Sequence, residues 1–402
     1  MRTLDQWKSL LAPTPRTIEF PHMVLASAYD QEPPIFIGNG QVRLPMPGSF
    51  EFTIAGEPTD TGDALQRLRR SAANPYDVFQ QFRLNGTDEN GREWSLGWVT
   101  PKVGEITDRR WNLTGSTESL STLVDHGYEV HGPDSVELAF LAPMREPIGQ
   151  MMARFVRLEL EDKRSVREFR LSVLETELHF SYEPQDGLLW VTAPTSPALN
   201  HPFADGWLAE PLRILFGQLI FPRLVARNFQ TRSTVWLRRS PKYHGHAGFA
   251  ALWAAQVVKG DAAAFWKLYA GLLTLIAQAR GADGHPDMQA HKITRFYEEI
   301  IQAARGSRWV WALTLASTVE GLAKMLFMRR EKKAIHVLER LKSSGLLTPR
   351  QVASWREMRN SVMHGHLISP WSTAEEDERL LDLANLVHAL TFKIVDRAPS
   401  LI

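Results

Sequence analysis

The hydrophobic pattern changes period once, across TAPTSPALNHPFADG at 192–206, where Pro, Ser, Thr and Asn accumulate. Before it, short apolar runs alternate with polar residues and are broken by Pro and Gly clusters. After it, apolar residues recur every three to four positions. A strand period followed by a helix period implies an α+β chain. We expect a β-rich domain, a sandwich or a rolled sheet, over residues 1–204, and a helical region over 205–402. The 402 residues suffice for two ordinary cores.

In the first half TIEF, MVLASAY, PIFIGN, VRLPM, SFEFTIAG, SVELAFLA, MMARFVRLELE, REFRLSVLE, TELHFSYE and GLLWVTAP read as strands. DVFQQFRLNGTDENGREWSLGWVTPKVG reads as two strands around a polar turn, and ALQRLRRSA at 64–72 as a short helix. Gly38-Asn39-Gly40 reads as a turn, since no Walker lysine follows it. Glu159, Glu161 and Lys163 have a spacing found in some nucleases, but alternating charges on the solvated face of a strand account for them. This half carries no catalytic constellation, and recognition suits it better than catalysis.

Beyond the boundary a helix is expected from about Trp207 to Val225, then a strand or extended arm at RSTVWLRRS. Helical segments follow at 245–258, 262–279, 287–304, 308–328, 331–343, 349–364 and 374–395. The absence of cysteine rules out disulfides, thiol nucleophiles and cysteine-ligated zinc. His244 with His246, His285 with His291, and His364 with His366 lack the carboxylates of a zinc motif, so no metal or cofactor is expected. The first residues, MRTLDQWKSLLAPTPRT, lack a signal-peptide core, and the longest apolar runs are too short for a bilayer. No membrane association and a cytoplasmic location are therefore expected. The net charge of +1 hides a division: residues 205–402 hold 27 Lys and Arg against 17 Asp and Glu, a net of +10, which leaves −9 for residues 1–204. A basic half suits an RNA-binding surface, and two domains that merely differ in surface composition would give the same division.

One stretch near the C-terminus concentrates the chemistry. Thr348 can cap a helix, Pro349 suits its first position, Gln351 completes a capping box, and Gly365 supplies the stop. On the helix between them Val352, Trp355, Val362 and Met363 share a stripe with Arg359 in its middle. A guanidinium among apolar neighbours is costly unless paired or used. Asn360 and His364, four apart, share the adjacent face. These residue types suit cleavage of RNA by its own 2′-hydroxyl. His364 would move the proton, Arg359 would hold the phosphoryl oxygens and Asn360 would orient either, with no metal required. A core-edge arginine bonded to a helix end, beside a solvent-facing histidine, would also account for the pattern.

Arg359-Asn360 with His364 resembles the Arg-polar-x-x-x-His signature of HEPN domains, all-helical units that are often metal-independent endoribonucleases acting as dimers. Its setting agrees, after an alanine-rich helix carrying Glu320 and before a final amphipathic helix, so a HEPN-like core is expected over about 284–402. The resemblance implies that Glu320 stands opposite Arg359, neutralising and aiming it; a surface pair of Glu320 with Lys324 is the alternative. A β-rich region, a helical middle and a C-terminal motif look like the ApeA-like HEPN proteins of bacteria. These act in abortive anti-phage defence by cleaving host transfer RNA. That likeness implies a sensor half coupled to a nuclease half, with a phage-derived molecule or an antitoxin as alternative triggers.

Arg359 and His364 lie about 140° apart on an ideal helix, and one histidine cannot serve as both base and acid. A homodimer through the helical domain, bringing two motifs to one cleft, answers both points. The products would be a 2′,3′-cyclic phosphate and a 5′-hydroxyl. Arg356 and His366 beside the motif, and the basic run Arg329, Arg330, Lys332 and Lys333, are candidate RNA contacts, although a solvated helix end would also explain the run. Two other classes fit the same residues: a non-catalytic helical module that binds nucleic acid or a partner protein, and the toxin of a toxin–antitoxin pair.

Overall fold

A computed structural model describes residues 2–12, 14–27, 32–45, 49–107, 110–126, 133–141, 158–159, 165–166, 168–239, 249, 251–254, 260–287, 289–363 and 371–397. The chain forms two compact units, residues 1–149, 180–195 and 221–242 in the first and residues 150–179, 196–220 and 243–402 in the second.

The strands are β1 (Arg16–Ala26), β2 (Phe36–Leu44), β3 (Phe50–Pro58), β4 (Phe82–Thr87), β5 (Glu93–Val99), β6 (Lys102–Thr107), β7 (Arg110–Thr117), β8 (Ser119–Asp125) and β9 (Ser135–Leu141). A short pair, β10 (Leu158–Glu159) and β11 (Ser165–Val166), forms its own ladder. Then come β12 (Glu168–Val173), β13 (Thr176–Glu183), β14 (Leu188–Pro194), β15 (Leu224–Asn228) and β16 (Arg232–Arg238). Fourteen of them make one sheet in the order β12-β13-β14-β9-β15-β16-β8-β5-β4-β1-β2-β3-β7-β6, and helices dominate the rest of the chain. The fold is α+β.

Alternation drives the sheet: in β3 Phe50, Phe52 and Ile54 are buried while Glu51 and Thr53 face water. Buried residues from β1 to β5, from β7 to β9 and from β14 to β16 join one apolar cluster, and Val103 of β6 packs half-buried against it. Helix α1 (Thr61–Ala73), capped by Asp60, contributes Ala64 and Leu68. A 3-10 segment, Thr3–Leu11, adds Leu4, Trp7 and Leu11. Its start is held by the buried Glu137 carboxylate, which accepts from the Thr3 and Leu4 amides at 2.9 Å each and from Asn228 Nδ2 at 3.0 Å.

Three local expectations change. TIEF and MVLASAY belong to one strand, β1, whose register slips between Phe20 and Met23, and Pro21 occupies that irregularity, where its missing N–H costs no ladder bond. Gly38-Asn39-Gly40 is the middle of β2 rather than a turn. A Cβ on Gly38 would lie 2.3 Å from the Ala55 carbonyl oxygen and one on Gly40 2.0 Å from that of Thr53, so glycine is there to let β3 come close. The helix expected to reach Val225 stops at Phe216, because Gly217 turns the chain with φ at +57°. Leu224–Asn228 then enters the sheet between β9 and β16, and β16 pairs with β8, so the sheet takes strands from beyond residue 204. LRILFGQLIFPRLVA is mostly apolar, broken only by Arg213, Gln218 and Arg223, and so dense a run shows no clear period.

The second unit contains α2 (Ala204–Phe216), α3 (Ala262–Ala277), α4 (Lys292–Ala303), α5 (Arg308–Met325), α6 (Ala334–Ser343), α7 (Pro349–Met363) and α8 (Thr373–Arg397). Helix α5 packs on α4, α7 and α8, and α7 packs also on α8. The seam is apolar: Leu315, Val319 and Leu322 of α5 are buried, as are Leu383, Val387 and Leu390 of α8. Capping follows the sequence signals. Thr348 N–H donates to Gln351 Oε1 at 2.9 Å while Gln351 N–H donates to Thr348 Oγ1 at 3.1 Å, and Ser372 with Glu375 repeats the arrangement before α8. Most of the expected helix at 245–258 falls outside the described residues; among those described, Leu252–Ala254 forms a 3-10 turn. Glu161, Lys163, His244 and His246 also lie outside them. Among the described residues no helix is long and apolar enough to cross a membrane.

Candidate functional site

Helix α7 is fixed from its buried side. Val352, Trp355 and Met358 are buried, and the Trp355 indole N–H donates 3.2 Å to the Ala316 carbonyl of α5. Ala316 is small, so the indole can reach the backbone. The small residues of α5 do not all serve α7, however: a Cβ on Gly321 would meet the Phe296 ring of α4 at 2.4 Å.

One turn beyond Trp355, Arg359 stands at the edge of this seam. Its Nε–H donates to Glu320 Oε1 of α5, a charge-assisted bond across the two helices. The side chains are 36% and 30% exposed, so each charge stays in touch with water and the pair escapes the heavy desolvation of a fully buried one. The guanidinium carbon lies 5.8 Å from the centre of the Trp355 ring, within cation–π reach. Helix α5 thus supplies Arg359 with both a carboxylate and, through Ala316, an anchored ring. Glu320 engages the motif arginine on the neighbouring helix, where a pair with Lys324 of its own helix was the alternative.

Asn360 is exposed on α7, and His364 and His366 lie outside the described residues. Arg356 is exposed and donates to Glu339 of α6 at 3.2 Å. Arg329, Arg330, Lys332 and Lys333 are exposed in the connection between α5 and α6, with Arg329 and Arg330 in a turn and Lys333 at the N-cap of α6. Around them a lattice of ion pairs ties the helices together. Arg350 binds Glu378 at 2.8 Å and Asp382 at 2.9 Å, Arg308 binds Asp377 at 2.8 Å, and Arg379 binds Glu357 at 3.1 Å. Ser354 Oγ donates to Asp382 at 2.8 Å, so α7 reaches α8 by a buried hydroxyl as well as by charge.

No family model matches this chain, and no curated protein or solved structure matches it.

Further into the second unit, a polar joint went unseen in the sequence. Glu210 of α2 is buried and accepts from the His291 amide at 3.0 Å and from Thr294 Oγ1 at 2.6 Å. Burial pushes its carboxyl above the usual range. His291 Nδ1 caps α4 by accepting the Ile293 N–H at 3.2 Å, and burial, with the nearby Lys292 ammonium adding to it, pushes this histidine down to about 4. His291 is therefore a neutral cap in a helix joint. Among the described residues no three His, Asp or Glu side chains are placed to hold a metal ion. The only sequence signal for the joint was a polar Glu210 inside WLAEPLRILF, and its partner is 81 residues away.

Proposed function

We propose that this chain is a metal-independent endoribonuclease of HEPN type, a cytoplasmic homodimer joined through its helical unit, that cleaves RNA in abortive defence against phage, with transfer RNA as a candidate substrate. The reading is carried by the contact of Arg359 with Glu320 across α5 and α7. A carboxylate holding the motif arginine at a half-exposed helix edge, five residues before His364, is the arrangement the chemistry needs. The guanidinium is fixed in direction yet open to solvent, where a phosphoryl group can approach.

In this scheme His364 of one protomer takes the proton from the 2′-hydroxyl, and its counterpart gives one to the departing 5′-oxygen. Arg359 stabilises the charge that gathers on the phosphoryl oxygens, Asn360 orients the reacting groups and Glu320 positions Arg359. Induction of the full chain in bacteria, with and without phage infection, should yield RNA fragments ending in 2′,3′-cyclic phosphate. Arg359→Ala and His364→Ala should abolish them while the circular dichroism spectrum is retained.

A second reading draws on the same contact. An arginine bonded to Glu320 and lying over Trp355 is also satisfied as a structural tie, which suits a helical module that binds nucleic acid or protein without cutting. Identical RNA from the wild-type chain and both variants under infection would favour that module.

A further inference from the structure

We infer that the connection between α5 and α6 is a separate, sequence-blind grip for the phosphate backbone of RNA. The inference takes its ligand from the function proposed above and adds a second contact, remote in sequence from the Arg359 motif. It rests on how the turn distributes its charges. Met328-Arg329-Arg330-Glu331-Lys332-Lys333 contains one carboxylate, and that carboxylate faces inward. Glu331 accepts from Arg340 of α6 at 2.7 Å and 3.1 Å and from the Met328 amide at 2.8 Å, and its side chain is 12% exposed. The Arg340 guanidinium holds this carboxyl below the usual range, so it remains an anion committed to its partner.

Four cations are left outside that exchange. The Glu331 N–H donates to the Met328 carbonyl at 2.9 Å, which closes a tight turn with Arg329 and Arg330 at its tip, and Lys332 and Lys333 follow at once. All four are exposed, and among the described residues none has a carboxylate within ion-pair distance. This contrasts with Arg308, Arg350, Arg356, Arg359 and Arg379, each of which meets an acidic side chain. Four of the basic residues of the C-terminal half thus stand side by side at one exposed turn.

The composition of the patch selects the partner. A protein interface needs an apolar core and is depleted in lysine. Here Met328, 51% exposed, is the one large apolar side chain well exposed among these residues. Phosphate oxygens need only donors and positive charge, both of which four Arg and Lys side chains supply without reading the bases.

The test uses the full chain and a variant carrying Arg329→Ser, Arg330→Ser, Lys332→Ser and Lys333→Ser; serine at 333 also suits the capping position of α6. Binding of a short fluorescent single-stranded RNA is followed by anisotropy across a salt titration, each protein also carrying His364→Ala to prevent turnover. The variant should bind at least tenfold more weakly at low salt, equally for RNAs of different sequence. Its slope of log affinity against log salt should be shallower by roughly 2 to 3, from about 0.7 per phosphate contact. An unchanged slope overturns the inference, as does lost binding to phosphatidylserine vesicles with RNA binding intact, which would make the turn a lipid contact. The two proposals fail separately. If the wild-type chain cuts no RNA but binds it through the turn, the nuclease reading falls and the grip stands; if cleavage depends on Arg359 and the four serines change neither binding nor KM, the grip falls alone.

Discussion

Trp355 donates its indole N–H to the Ala316 carbonyl, 3.2 Å away and buried, so the residue beneath Arg359 is tied to the helix that carries Glu320. Trp355→Phe keeps an aromatic ring but removes the donor and part of the packing. The expected loss is about 1–2 kcal/mol of stability. Urea unfolding followed by far-ultraviolet circular dichroism would measure it, and any nuclease activity should fall with it because the Arg359 platform loosens.

The Arg359–Glu320 pair is partly exposed, so its coupling is modest. A double-mutant cycle with Arg359→Met and Glu320→Gln should return about 0.5–1 kcal/mol at low salt and less in high salt. If Glu320 positions Arg359, Glu320→Gln should lower kcat more than it raises KM. A coupling indistinguishable from zero would remove Glu320 from that role.

The glycines of β2 predict a larger effect. Gly38→Ala or Gly40→Ala places a methyl group within about 2 Å of backbone oxygen on β3, and backbone in the middle of a sheet cannot move aside cheaply. Either change should cost more than about 2 kcal/mol or leave the protein insoluble. Thermal melts of the two variants beside Gly91→Ala, a turn position where the added carbon meets nothing within 4 Å, would separate close approach from backbone strain.

His291 makes stability depend on pH with a definite sign. Its folded value, about 4, lies below the ordinary 6.5, so the unfolded chain takes up the proton first. The stabilisation is complete above about pH 6.5 and is lost as pH falls towards 4; the full shift would correspond to about 3 kcal/mol, and partial exposure brings the expectation to the order of 2. Glu210, whose carboxyl is raised, works in the opposite sense as it protonates. The comparison of wild type with His291→Asn isolates the histidine, since asparagine still caps the helix. The variant's melting temperature should fall less between pH 7 and 4.5 than that of the wild type, and parallel curves would contradict the assignment.

What was legible in the sequence was local. Thr348 with Gln351 and Ser372 with Glu375 form the capping boxes their spacing promised, because a cap needs only residues three apart. The partner of Arg359 was legible only through resemblance, since Glu320 is 39 residues away. Gly38-Asn39-Gly40 misled because glycine marks both turns and close strand crossings, and only the partner strand tells which. Leu224–Asn228 was hidden in an apolar run whose burial erased its period, and the joint of Glu210 with His291 and Thr294 left no local pattern. Arg359 is held by a carboxylate of α5, whereas His364 and His366 lie outside the described residues.

The return of β15 and β16 to the sheet sets a schedule for synthesis. Glu137, which holds the amides of Thr3 and Leu4, is itself held by Asn228 at the end of β15, and β15 and β16 occupy the gap between β9 and β8. The opening residues of the chain leave the ribosome long before the amide that completes their anchor. Until translation has passed Arg238, β9 and β8 lack the strands, β15 and β16, that they pair with in the finished sheet.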